Sequence, residues 1–261
     1  MIDLFEQIKK HHIISSMLPF QHAAHQSKWW LKDKSFVNAT QSITKAVATS
    51  IEKQPSDSGI SILKQINRKV VLRISSPLIN GESSVAKVFY LMKFSRMLKY
   101  YRYGLDEAAN LIIAFRRGLP VPEVQGYGHI YNRFGLVATN IVLMEYLREL
   151  MPINRLLEQN RDNEDAYIRI LMRTVPLFAS LYNAHCNHID VNGGAIMLSE
   201  NDEGKVSILD FQHAKYMDKP SPEVLMAEAG RLSRTFKGYV SDKAIAHWLE
   251  AIFSAIGVSS G

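Results

Sequence analysis

The chain has 261 residues, 47% of them hydrophobic and 21% charged, the mix of a globular protein able to bury a core rather than of a disordered or fibrous one. Its single cysteine excludes an internal disulfide framework and a cysteine-only zinc site, and it fits a reducing compartment. A net charge of +6 favours anionic partners such as phosphate groups, acidic lipid or nucleic acid without choosing among them. The opening MIDLFEQIKK has no secretory pattern, and no stretch reaches the roughly 18–20 apolar residues of a membrane span. A soluble or peripheral protein is therefore expected.

In chain order, residues 1–18 predict a helix. Residues 19–57 are polar and mixed, with no firm period, and read as loops or short helices. Within them Trp29-Trp30, flanked by Lys28, Lys32 and Lys34, reads either as an interfacial membrane anchor or as the packing of a short helix. From Gly59 the runs GISILKQI, KVVLRIS and SVAKVFYL are rich in β-branched residues and predict consecutive antiparallel strands. A helix from about Lys93 to Arg117 follows and closes on RRGLPVP, a basic last turn followed by Gly and Pro. Two more strands fall in EVQGYGHIY and GLVATNIVLMEYL. After Tyr146 the chain turns helical. Residues 163–184 carry Ile168, Leu171, Val175, Phe178 and Leu181 at helical spacing, and Pro176 should kink or split that helix.

A polar loop then leads to a hairpin (AIMLSE, turn NDEG, KVSILDF) and to two final helices starting at Ser221-Pro222 and at Ser241. The expected class is α+β. A five-stranded antiparallel N-terminal sheet carries one helix between its third and fourth strands, and a mainly helical half follows. The expected divisions are 1–57 as an extension, 58–145 as the sheet-bearing part and 146–261 as the helical part.

The segment CNHIDVNGGAIML followed by VSILDFQ carries the chemistry. Asp190 follows His188 by two residues, and Asp210 closes the second strand of the hairpin. Phosphoryl transfer needs one carboxylate beside the acceptor hydroxyl and another to hold Mg²⁺ on the phosphates. A loop, hairpin and loop can set two such groups side by side. His185, Cys186 and His188 lack the spacing of a zinc set. Lys215, Lys219, Arg231, Arg234 and Lys237 read either as grips for an anionic acceptor or as a solvated basic surface. No nucleic-acid-binding motif accompanies the basic charge, so nucleic acid is not expected as a partner.

These two segments resemble the H-x-D catalytic loop and the D-F-G loop of the protein kinase superfamily. The run Leu181, Ala184, Asn187, His188, Asp190 is similar to that of the lipopolysaccharide kinase family, the Kdo and heptose kinases of the core region. The resemblance implies a bilobal kinase-like fold with a reduced helical C-lobe, spanning about residues 58–236. It implies ATP with Mg²⁺, and an acceptor on the lipopolysaccharide core or on lipid A-Kdo at the anionic cytoplasmic face of the inner membrane. It assigns Lys87 to the α- and β-phosphates, oriented by Glu107, and Asp210 to the metal, with Asn192 as a further metal candidate. Asp190 falls to the acceptor hydroxyl, and Met144-Glu145-Tyr146-Leu147 to the hinge, where Glu145 and Leu147 meet adenine. The chain departs from the pattern in three places: the turn KQINRK has no glycine, Ala195 stands where kinases carry a metal-binding Asn, and Gln212 replaces the glycine of D-F-G. These departures keep a pseudokinase or nucleotide-binding regulatory module in view, beside a small-molecule or protein kinase of the same fold.

Overall fold

The structure, a computed structural model, describes residues 2–22, 26–49, 59–66, 69–75, 79, 83–91, 95, 97, 102–160, 163–201 and 204–257. The chain divides into two units, Met1–Ile112 with Glu123–Tyr146, and Ile113–Pro122 with Leu147–Gly261.

The first unit is built on an antiparallel sheet of β1 (Leu18–His22), β2 (Ser27–Leu31), β3 (Ile60–Ile66), β4 (Lys69–Ile74), β5 (Ser84–Tyr90), β6 (Val124–Tyr131) and β7 (Val137–Glu145). The strand order is β1-β2-β6-β7-β5-β4-β3. Helices α1 (Ile2–Ser15) and α2 (Val37–Thr49), a 3-10 turn at Lys34–Phe36 and α3 (Tyr103–Arg116), whose last residues count to the second unit, complete its described elements. The sheet thus has seven strands, not the five expected, because β1 and β2 come from the stretch read as loops or short helices. Asn67 and Arg68, and most of residues 93–101 at the start of the helix expected from about Lys93 to Arg117, lie outside the described residues.

In β2, Ser27, Trp29 and Leu31 are buried, while Lys28 and Trp30 take the other face, as the two-residue period of a strand requires. Trp29 is fully buried with its ring against Gly128, where an added Cβ would lie 2.5 Å from the indole. Its Nε1–H donates to Thr44 Oγ1 at 3.2 Å. Trp29 is therefore neither a membrane anchor nor part of a helix; it is a core residue of the sheet. Trp30 stacks on Tyr127 at 5.8 Å, with Lys28 over its ring. On the Trp29 side the sheet contributes Leu31, Val70, Leu72, Ile74, Ala86, Val88, Ile141 and Leu143 to one core, which Ala39, Ile43 and Ala46 of α2 close. Each large apolar side chain buried there stabilises by about 1.5–3 kcal/mol.

On the opposite face, α3 lies close to β6 and β7. A Cβ on Gly104 would fall 2.8 Å from Asn140 Cβ and 3.2 Å from Tyr127 Cε2, so only glycine allows this approach without repacking.

The second unit holds β8 (Leu150–Pro152), α4 (Ile153–Gln159), α5 (Glu164–Met172), α6 (Val175–Asn183), β9 (Cys186–Asn187), β10 (Ile196–Ser199), β11 (Val206–Ile208), β12 (Lys215–Tyr216), α7 (Pro222–Phe236) and α8 (Asp242–Ala255). The strands form two small sheets, β11-β10-β8 and β12-β9. The helical run of 163–184 is split into α5 and α6, with Pro176 in the first turn of α6, where a missing N–H costs nothing. Ser221 and Ser241 cap α7 and α8 by accepting from Val224 N–H and Ala244 N–H. Fully buried Trp248 of α8 meets Phe178 edge to face at 5.3 Å and donates from Nε1 to Thr174 Oγ1 at 3.1 Å.

Candidate active site

In the first unit, Lys87 stands on β5 on the face opposite the α2 core. It is 5% exposed, and Glu107 on α3 is 1% exposed. Lys87 Nζ donates to Glu107 Oε1. Two charges this deep are tolerated because they are paired; either one alone would be strongly unfavourable. One residue earlier on α3, Asp106 accepts from Lys10 Nζ of α1 at 3.0 Å.

In the second unit, the segments bearing the two aspartates are tied together. His188 is fully buried and donates from Nε2 to the Leu209 carbonyl at 2.7 Å, and its ring meets Phe211 edge to face at 4.6 Å. His188 thus joins the residue two before Asp190 to the residues on either side of Asp210. Leu209 N–H in turn donates to the Ala195 carbonyl at 2.8 Å. Asp190 is exposed, while Asp210 is half-buried in a left-handed conformation (φ 63°) at the end of β11. Ile189, between His188 and Asp190, is also left-handed (φ 72°), which is costly for a β-branched residue and persists only when its surroundings impose it.

Those surroundings come from α7. Glu228, fully buried, accepts from Ile189 N–H at 2.7 Å and pairs with Arg231 at 3.2 Å. Burial raises its carboxyl above the ordinary glutamate range, opposed by the Ile189 N–H, by Arg231 and by the His188 N–H. Two turns on, Thr235 Oγ1 accepts from Gly193 N–H at 3.2 Å, and the Gly193 carbonyl accepts from Asn154 N–H at 3.1 Å. A Cβ on Gly193 would sit 2.3 Å from Asn154 Oδ1, so the glycine is required for close approach. The sequence reading missed Glu228. Its signal was an acid at the buried position of an otherwise apolar stripe, Leu225, Glu228, Ala229, Leu232 and Phe236.

Asn192 donates from Nδ2 to the Asp190 carbonyl at 2.9 Å, and its Oδ1 accepts from Gly194 N–H and Ala195 N–H. Its amide oxygen closes the turn and would have to release those donors to reach a metal. Ala195 is fully buried. Glu145 ends β7, exposed, with its N–H donating to the Glu123 carbonyl, and Tyr146 N–H donates to Ser83. Leu147 follows as the first residue of the longer segment of the second unit. Among the basic candidates, Arg231 serves Glu228, while Lys215, Lys219, Arg234 and Lys237 are exposed.

Mg²⁺ takes hard oxygen ligands and is commonly held by one or two carboxylates plus substrate phosphates, so the Asp210 carboxylate is a fitting protein share. Among the described residues no cluster of three or more His, Cys, Asp or Glu forms a separate metal cage.

A solved structure of WaaP in complex with acyl carrier protein is similar over 74% of this chain and 78% of that one, with a TM-score of 0.52 and 11% identity. The chain thus shares its fold with WaaP, the likeness that the motifs led one to expect. No family model and no curated protein matches the sequence. Among the described residues no helix is long and apolar enough to cross a membrane.

Proposed function

We propose that this chain is a kinase that transfers the γ-phosphoryl group of Mg-ATP to a hydroxyl of a lipopolysaccharide core sugar, Kdo or heptose. The observation that supports this most is the His188–Leu209 hydrogen bond, which links the loop of Asp190 to the strand end of Asp210. In this reading Lys87, oriented by Glu107, holds the α- and β-phosphates, and the backbone at Glu145 and Leu147 reads adenine. Asp210 holds Mg²⁺, which would neutralise charge on the phosphates when bound. Asp190 orients the acceptor hydroxyl and takes its proton late, as a loose phosphoryl-transfer transition state allows. His188 is a scaffold, since its Nε2–H is already given to Leu209.

The acceptor is lipid-linked and the chain carries +6, so the proposal places it peripherally on the cytoplasmic face of the inner membrane. Flotation with anionic vesicles at low and high salt tests this; no binding at low salt would remove the membrane from the proposal. WaaP was solved with acyl carrier protein, and a carrier-protein partner is included here, to be tested by pull-down with purified acyl carrier protein.

A second reading, a nucleotide-binding module without turnover, is favoured by buried Ala195 and by the engaged Asn192 amide. The two are separated by calorimetric Mg-ATP binding measured beside phosphate transfer to purified lipopolysaccharide. Asp210→Asn should weaken both binding and transfer. Asp190→Asn should leave binding nearly intact and cut transfer by about 10²–10⁴-fold. A wild type that binds Mg-ATP yet transfers nothing to any core acceptor would leave the binding module standing.

A further inference from the structure

One rung of strand pairing crosses the whole sheet of the first unit. Ile66 stands opposite Lys69, Lys69 opposite Phe89, Phe89 opposite Asn140, Asn140 opposite His129, His129 opposite Lys28 and Lys28 opposite Gln21. At this end β1 joins β2, β3 joins β4 and β6 joins β7. The stretches 22–28, 64–69 and 131–139, and the run 90–102 that follows β5 in the sequence, contain no aspartate or glutamate. Lys28, Lys64, Lys69 and Arg133 are among their cations. Asp106 of α3, whose charge reaches Tyr127, is paired with Lys10. At the other end of the strands Glu145 stands opposite Ser84, and Glu123 accepts from Lys32 at 2.6 Å. Charge is thus segregated along the strand axis.

The cationic end also carries apolar tips. Phe134, between β6 and β7, is 71% exposed, and Ile66, the last residue of β3, is 52% exposed. A single exposed apolar side chain is ordinary; two at the ends of hairpins on one acid-free edge are not. The tip that bears Phe134 is held firmly. Asn132 Oδ1 accepts from Phe134 N–H at 2.9 Å and from Leu136 N–H at 3.0 Å, and Gly135 takes the left-handed conformation (φ 74°). Arg133 lies over the Phe134 ring at 4.7 Å. A Cβ on Gly135 would meet nothing within 4 Å, so the tip projects. A protein partner would need a pocket shaped to that ring. A bilayer takes projecting rings one at a time at headgroup level, with cations beside them on lipid phosphate.

We infer that this end of the sheet docks on a bilayer surface rich in anionic lipid, with Phe134 seated among the headgroups, Arg133 on lipid phosphate and Ile66 a second apolar contact. The inference rests on the membrane placement proposed above and names the surface that makes it; it does not depend on phosphate transfer.

Flotation of the full chain with vesicles of equimolar phosphatidylglycerol and phosphatidylcholine, and of phosphatidylcholine alone, tests it, with urea midpoints checked for each variant. Phe134→Ser should lower partitioning onto the anionic vesicles about tenfold, the effect of keeping one phenyl ring in water. Arg133→Gln should lower it about fivefold on anionic vesicles and leave phosphatidylcholine unchanged. Phe134→Trp keeps an aromatic ring and should bind at least as well as wild type. Phe115→Ser, which removes a 49% exposed ring from α3, should change nothing. A wild type that floats while Phe134→Ser and Arg133→Gln stay within about twofold of it overturns the inference alone, as does an equal loss in Phe115→Ser. Loss of acyl carrier protein capture by Phe134→Ser with flotation unchanged gives this end to an acidic protein and overturns it too. A wild type that does not float refutes the membrane placement and this inference together, while transfer to detergent-dispersed lipopolysaccharide still decides the kinase reading.

Discussion

Replacing Glu228 with Ala removes a fully buried carboxylate that accepts from Ile189 N–H at 2.7 Å and neutralises Arg231. The lost charge-assisted hydrogen bond is worth about 1.5–3 kcal/mol. Breaking a buried ion pair from one side costs about 3–5 kcal/mol in total, and the Arg231 share sits at the low end because that side chain is 33% exposed and can turn to water. A loss of about 3–4 kcal/mol in urea unfolding is expected, together with faster amide exchange across 188–195, since the left-handed Ile189 loses the acceptor of its N–H. Glu228→Gln keeps the acceptor oxygen and removes the desolvated charge, so it should stay within about 1 kcal/mol of wild type. The pH dependence separates the two contributions. Because burial raises the folded carboxyl, the Glu228 contribution is fully present below the ordinary glutamate value and is lost as pH rises through the raised one. The stability of Glu228→Gln should therefore improve relative to wild type as pH rises from 4.5 to 7. An alanine variant within about 1 kcal/mol of wild type, or a wild type that gains on glutamine with rising pH, would refute the reasoning.

Three further outcomes are expected. Lys87→Met leaves Glu107 buried and unpaired and should cost about 3–5 kcal/mol; adding Glu107→Gln should recover most of the stability but not the nucleotide affinity, as read by denaturation beside calorimetry. His129 is lowered to about 4 by burial first and then by the charges of His11 and Lys28. Its contribution is thus present above pH 6.5 and lost towards pH 4, about 2–3 kcal/mol that His129→Gln should lack when both proteins are unfolded in urea at pH 7 and 4.5. Burial pushes the Cys186 thiol up to about 12, so iodoacetamide at pH 8 should label the protein only in urea.

The strands from β3 to β7 were legible because their β-branched runs are long and bounded by turns. The split at Pro176 and the starts at Ser221 and Ser241 were legible because proline and hydroxyl caps act locally. β1 and β2 were not. β2 is five residues long, and half-buried Trp30 beside buried Trp29 hides its alternation. The helix α2 was obscured for a related reason: the residues it buries are Ala39, Thr40, Ile43, Thr44 and Ala46, a stripe too slight in hydrophobicity to show a period. Lys87, Glu107, Asp190 and Asp210 stood out through their local motifs. The support given by Glu228 did not, because its partner Ile189 lies on a different element, and an acid on a helix usually faces water.

The place of β2 beside β6 also bears on how the chain is made. Trp30 lies opposite Tyr127, so the β1–β2 hairpin meets its sheet neighbour only after roughly 100 further residues have been translated, about 5–20 s at 5–20 residues per second. An isolated two-stranded hairpin is marginal in water. During that interval the nascent segment SKWWL, with neither β6 nor a closed core over it, presents two indoles to water. Delayed closure of this kind slows folding and leaves apolar surface exposed until β6 clears the ribosome.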